Sequence, residues 1–257
     1  MTWFKLFNAI NNSSIRLFCF HYGGGSASVF RKWLKDLTPI AELIAIQLPG
    51  REDRFNEPLI YDVSHVVDKL CSDMGDYLNK PFVFFGHSVG ALIAFEFARL
   101  LRKKGMQQPK HFIVSGARAP QRPIERKLIH NLPDSQFIEE LKKYNGISPD
   151  VIEDKELINL FLPVIRADFS ISETYKYAGE IPFDYPLTAL SGVNDNTFEF
   201  SSLLGWKKQT TNIFIHYSLP GDHFFIKSSY NKVIQIVNQI LNKENDKNIL
   251  YQNSKKL

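Results

Sequence analysis

Residues Phe82 to Ala91 read Phe-Val-Phe-Phe-Gly-His-Ser-Val-Gly-Ala: an apolar, strand-like run ends in Gly-x-Ser-x-Gly and passes straight into a helical pattern. Few folds accept such a junction. A strand that turns into a helix this tightly leaves no room for side chains at Gly86 and Gly90. It also lifts the Ser88 hydroxyl above a sheet edge, at the positive end of the following helix. The stretch therefore predicts a nucleophile elbow in an α/β sheet.

The rest of the chain agrees with a parallel sheet. Short β-rich apolar runs are expected as strands at Ile15–Phe20, Leu43–Leu48, Phe82–Phe85, His111–Ser115, Leu187–Ser191 and Asn212–Leu219. Helical patterns lie between them. Val63, Val66, Val67, Leu70, Met74 and Leu78 share one face, Ala91–Lys104 is closed by Gly105, and Tyr230–Leu241 carries a stripe of Val and Ile. Strands alternating with helices mean βαβ crossovers and a mostly parallel sheet covered on both faces. From about residue 118 to 180 no strand is legible, only helical segments such as Asp134–Tyr144 and Asp154–Ile165. An insertion of that length is expected to form a helical lid over the sheet edge. One domain is expected over residues 1–241, followed by a polar, flexible tail over 242–257.

Composition narrows the class. The net charge of +4, from 31 Lys plus Arg against 27 Asp plus Glu, is far below the charge density of nucleic-acid binders. Cys19 and Cys71 lie in no CxxC or Cys/His cluster, so neither a disulfide framework nor a metal site is expected. No apolar run approaches a membrane span, and the N-terminus lacks the ordered parts of a secretion signal. A cytoplasmic monomer with no metal or organic cofactor is the expectation. The 21 Phe point to an aromatic core or pocket without saying which.

A serine hydroxyl needs a base, and the base an orienting carboxylate. In an α/β-hydrolase arrangement these follow in the order Ser, acid, His, each on a loop after a strand. His223, in Pro220-Gly-Asp-His-Phe-Phe225 after the last strand, fits the base; His111, His130 and His216 read as structural. Asp195 fits the acid because it lies just past the strand ending at Ser191, whereas Asp184 precedes that strand and Asp222 adjoins the base. The glycine run His21-Tyr-Gly-Gly-Gly-Ser26 is neither a dinucleotide fingerprint nor a P-loop. It fits a loop supplying one backbone donor near Gly23 to an oxyanion, with the Val89 amide as the other. Tyr22, Gly24, His87 and Phe224, which flank these groups, are expected to contact substrate. The chemistry so read is acyl transfer to water, without choosing among ester, thioester and amide.

These segments resemble the stand-alone type II thioesterases of nonribosomal peptide and polyketide synthesis, a branch of the α/β-hydrolases. The likeness lies in Arg16–Ala27, Leu48-Pro-Gly-Arg-Glu-Asp-Arg54, Gly86–Ala91, Arg166-Ala-Asp-Phe169, Gly192–Asp195 and Gly221–Phe225. Val89, His21 and Asp222 depart from the usual residues of that family. The resemblance implies acyl groups carried on the phosphopantetheine of an acyl or peptidyl carrier protein, removed as misloaded units or released as product. It also implies a lid that opens and closes. For Arg51 and Arg54 it leaves a choice between binding phosphate and pairing with cap or loop carboxylates, and the second is expected. The competing readings are a general carboxylesterase on small esters and a non-catalytic module that binds a carrier protein.

Overall fold

Seven strands form one sheet in the computed structural model, which describes residues 2–10, 13–124, 126–144, 146–147 and 149–254. In chain order they are β1 (Phe4–Leu6), β2 (Ile15–Phe20), β3 (Ala41–Ile46), β4 (Phe82–His87), β5 (His111–Ser115), β6 (Leu187–Gly192) and β7 (Phe214–Leu219). Their spatial order is β1-β3-β2-β4-β5-β6-β7. Only β1 runs antiparallel to its neighbour; every other pairing is parallel. This is the α/β-hydrolase fold. β1 escapes sequence reading because three residues are too short to show a period.

The six residues of β3 and of β4 are buried throughout, as strands covered on both faces must be. Side chains alternate between two cores. Phe18, Phe20, Phe82 and Phe84 face the side covered by α1 (Val63–Asp73) and α2 (Val89–Lys103). Leu17, Cys19, Val83 and Phe85 face the other side, with Phe30 and Trp33 of the 3₁₀ helix Ala27–Lys35. Most of the large aromatic side chains with under 2% exposure sit in these layers, so the phenylalanine excess serves the core more than the cavity. The α1 pattern predicts a helix to Leu78. It stops at Asp73 because Gly75 takes a positive φ of 44° and starts a separate 3₁₀ turn.

Between β5 and β6 come three helices, α3 (Asp134–Lys142), α4 (Pro149–Glu153) and α5 (Lys155–Glu173), with a small core of their own around Phe137, Leu141, Ile158 and Leu162. Asp154 caps α5 by accepting the amides of Glu156 and Leu157. Pro163 lies inside α5 and cannot donate to the carbonyl one turn back, at Asn159. Before it, Leu157, Leu160 and Phe161 are exposed; after it, Ala167, Asp168 and Ile171 are buried. Two short helices, α6 (Phe200–Leu204) and α7 (Phe225–Ser228), follow β6 and β7.

The last helix corrects the sequence reading. α8 runs Tyr230–Ser254 and does not give way to a loose tail at Leu241. Its polar residues have partners rather than solvent alone. Asn242 accepts the Thr38 hydroxyl at 3.0 Å, and the buried Glu244 carboxylate lies 2.7 Å from Lys247 and 3.7 Å from His111. Residues 255–257 of the expected tail lie outside the described residues. We expect truncation after Leu241 to lower unfolding stability by about 1–3 kcal/mol in urea titrations, because it leaves His111 and Thr38 short of partners. An unstructured tail would leave the midpoint unchanged.

Candidate active site

The β4–α2 junction is as tight as the sequence requires. A Cβ at Gly86 would lie 2.5 Å from the Ala91 Cα, and one at Gly90 would lie 2.3 Å from the Phe20 carbonyl oxygen. Between them Ser88 is held at φ 57°, ψ −124°, a conformation that costs free energy for any residue with a side chain. The Ser88 amide donates to the Ser115 carbonyl at 2.8 Å, tying the turn to the end of β5. Val89 opens α2, so its N–H belongs to the first turn, where intrahelical acceptors are missing.

Two loops across the sheet edge complete the centre. After β6 and β7 the chain is stitched by Val193 N–H to Leu219 carbonyl (2.8 Å) and Asn194 N–H to Gly221 carbonyl (2.9 Å). This brings Asp195 and His223 together. His223 Nδ1 is 2.9 Å from Asp195 Oδ2, and His223 Nε2 is 3.0 Å from Ser88 Oγ. Burial works to raise the Asp195 carboxyl, but hydrogen bonds from His223 and Thr197 outweigh it and hold its pKa below the usual value. The carboxylate of Asp222, next to the base in sequence, accepts the Phe224 amide at 2.8 Å. Ordered this way, the three side chains can pass a proton from hydroxyl to imidazole while the carboxylate fixes the tautomer.

Ser88 and His223 open into a cavity of about 320 Å³. Tyr22, Gly23, Gly24, Val89 and Phe224 line its lower part, and Leu141, Tyr144, Ile147, Phe161, Ile165 and Phe169 of the cap region line the upper. The lining is mainly apolar, and Val89 and Gly23 are part of it. The neighbouring Gly24 amide is occupied, donating to Asp168 at 2.7 Å. Among the described residues, no group of three or more His, Cys, Asp or Glu is placed to hold a metal ion, and no helix is long and apolar enough to cross a membrane.

Residues 15–241 match the thioesterase domain family. The chain belongs to that family. It is 41% identical to the gramicidin S biosynthesis protein GrsT of Aneurinibacillus migulanus over 235 residues, 91% of this chain and 92% of the relative. Among solved structures it is similar to ClbQ from the colibactin NRPS/PKS pathway (TM-score 0.85, 32% identity, 90% of this chain and 98% of that one). It is likewise similar to YbtT, a type II thioesterase from the yersiniabactin NRPS/PKS pathway (TM-score 0.83, 29% identity, 95% and 99%). The protein is thus a thioester hydrolase of α/β-hydrolase fold.

Within this thioesterase, His87 does not take the substrate contact expected from sequence. Strand alternation turns its ring under the sheet edge, away from the cavity; the side chain is fully buried, with Nδ1 2.8 Å from the Ser115 hydroxyl. Burial, and then the nearby His223, push its pKa down to about 3. His21 is also buried, its Nδ1 2.8 Å from the Tyr22 carbonyl, and burial followed by Arg51 pushes it down to about 4. Both arginines of the Pro-Gly-Arg loop pair with carboxylates. Arg51 makes two hydrogen bonds to Asp168 (2.7 and 2.9 Å), and Arg54 binds Glu57 at 2.5 and 3.0 Å. Sequence reading missed two residues here. Thr197 donates its hydroxyl to Asp195 at 2.6 Å, and Asp168 accepts from both Arg51 and the Gly24 amide. Thr197 follows the acid by two residues, a spacing that signals an Asx-type turn; Asp168 stands in the Arg166–Phe169 segment without a local cue to its partner.

The buried histidines set a pH dependence of stability. Unfolded, each binds a proton near pH 6.5; folded, His21 and His87 refuse it until about pH 4 and about pH 3. Their contribution is therefore complete above pH 6.5 and is lost on acidification, at about 1.4 kcal/mol per pH unit for each histidine. His111 and His216 are shifted in the same direction. Denaturant titrations between pH 7.5 and 4.5 should show stability falling below pH 6.5, with a shallower fall in His87→Gln. A profile that is flat across that range would contradict neutral burial.

Proposed function

We propose that this thioesterase removes acyl groups from the phosphopantetheine thiol of acyl or peptidyl carrier proteins in nonribosomal peptide or polyketide synthesis, clearing misloaded units or releasing product. The reading is carried by the relay from Ser88 through His223 to Asp195 at the base of an apolar cavity roofed by the cap. The pathways named for GrsT, ClbQ and YbtT support the assembly-line setting.

Ser88 Oγ attacks the thioester carbonyl as its proton passes to His223 Nε2, and Asp195 stabilises the imidazolium through Nδ1–H. The amides of Val89 and Gly23 receive the oxyanion. Collapse of the tetrahedral intermediate breaks the C–S bond, and the departing pantetheine sulfur takes the proton from His223. Water then enters, His223 removes its proton, and the acyl-Ser88 ester is cleaved to the free acid. Tyr22, Gly24 and Phe224 guide the arm and acyl group along the lower cavity wall.

The test presents one acyl group on a holo carrier protein, on coenzyme A and as an aryl ester. A higher kcat/KM on the carrier is expected, and equal or faster turnover of the free ester would replace the carrier reading with a general esterase. Ser88→Ala and His223→Ala should each lower kcat by roughly 10³-fold or more while the fold is retained. Retained turnover in both would reject the triad. Thr197→Val keeps the shape but removes a hydrogen bond that favours ionised Asp195. Its acid limb of kcat/KM should therefore move to higher pH, with kcat reduced by roughly 3- to 10-fold.

A further inference from the structure

The loop bearing Gly23 is held from outside itself. Asp168 Oδ2 accepts the Gly24 amide and Arg51 Nη1, each at 2.7 Å, while Oδ1 accepts Arg51 Nη2 at 2.9 Å. Arg51 Nη1 also donates to the Gly25 carbonyl at 3.1 Å. Farther along, Gln47 accepts the Ala27 amide at 2.6 Å and donates to the Arg51 carbonyl at 3.0 Å. Asp168 and Arg51 are 1% and 7% exposed. A carboxylate and a guanidinium taken this far out of water gain little net stability from their attraction, so the pair calls for a use other than stability.

Peptide planarity supplies that use. Across a trans peptide the C=O and the following N–H point in opposite directions. The Tyr22 carbonyl is fixed by the Gly25 amide (2.9 Å) and by His21 Nδ1 (2.8 Å), which sets the plane that carries the Gly23 N–H. The Gly24 amide is fixed by Asp168, which sets the plane on the other side of Gly23. Glycine at 23 has no side chain to hold its own torsions, so both flanking planes must be pinned for its N–H to keep one direction.

We propose that the Arg51–Asp168 pair positions the Gly23 amide for the oxyanion, so that α5 of the cap sets the geometry of the reacting centre. The proposal rests on the serine-hydrolase reading above, in which Gly23 is an oxyanion donor. Arg51 and Asp168 are positioning residues: neither lines the cavity. A guanidinium is required because only its planar fork reaches both carboxylate oxygens and the Gly25 carbonyl together.

Asp168→Asn preserves volume but turns one arm of the acceptor into a donor facing donors. It should lower kcat roughly 10²-fold, in the range for loss of one oxyanion donor, with KM within about 3-fold of wild type. The double variant Arg51→Met/Asp168→Leu replaces the pair by apolar groups and is expected to keep its thermal midpoint close to wild type. It should lose kcat to a similar degree, counted per titrated active site. Affinity for a trifluoromethyl ketone analogue, whose adduct with Ser88 bears the oxyanion, should fall in step with kcat/KM. A merely structural pair would shift the midpoint and leave kcat and analogue affinity alone. If Asp168→Asn does not fold, the double variant decides. Wild-type kcat in a folded double variant overturns the proposal while Ser88→Ala stays inactive. An active Ser88→Ala instead overturns the hydrolase reading beneath it.

Discussion

The contact between Gly90 and the Phe20 and His21 carbonyl oxygens governs much of this molecule. A Cβ there would stand 2.3 and 2.4 Å from those atoms. The missing side chain lets the first turn of α2 settle against the end of β2, and that closeness forces Ser88 into a left-handed conformation. The strain is stored at the end of β4, a wholly buried strand paired with β2, in which every residue but Arg16 is buried. It also puts the start of α2 beside the loop that leaves β2, so Val89 and Gly23 line one cavity. Fold and chemistry share this one close approach.

The second organising constraint is electrostatic. The cap is not simply laid over the sheet: the part of α5 after Pro163 is fastened to the β2 loop through Asp168 and Arg51, and to the chain near residue 130 through Glu173. That carboxylate accepts the amides of Ile129 and His130 at 2.9 Å and lies 2.9 Å from Arg126. The part before Pro163 has no such ties among the described residues' buried polar contacts and carries exposed apolar side chains. One helix therefore joins a half tied by buried polar contacts to a half held by the apolar packing of Ile158 and Leu162, with a missing backbone hydrogen bond between them.

Much of this was legible from the chain. The strands of the parallel sheet announce themselves by continuous apolar runs, and the elbow by two glycines around a serine. Position after a strand singles out Asp195 and His223, and the fold brings their side chains to 2.9 Å of each other. What could not be read depends on distance in space. β1 is too short to carry a period. The end of α8 looks like a solvated tail because its polar residues give no sign that Thr38 and His111 await them. His87 sits next to Ser88 in sequence, yet alternation along β4 sends it to the opposite side. Asp168 and Arg51 lie 117 residues apart, and only the folded chain makes them one unit.

That α5 both roofs the cavity and seats the Gly23 loop constrains any attempt to retailor acyl-chain selectivity. Ile165 Cγ1 would lie 2.8 Å from a Cβ on Gly24, and Phe169 lies 3.8 Å from the corresponding point on Gly23. Carving the cavity at Ile165 or Phe169 reshapes the support of the loop as well as the wall. Leu141 and Ile147 line the same cavity without being among those nearest neighbours. A breeder of new chain-length preferences would find them the more independent dials, with breadth of substrate and speed of turnover adjustable apart.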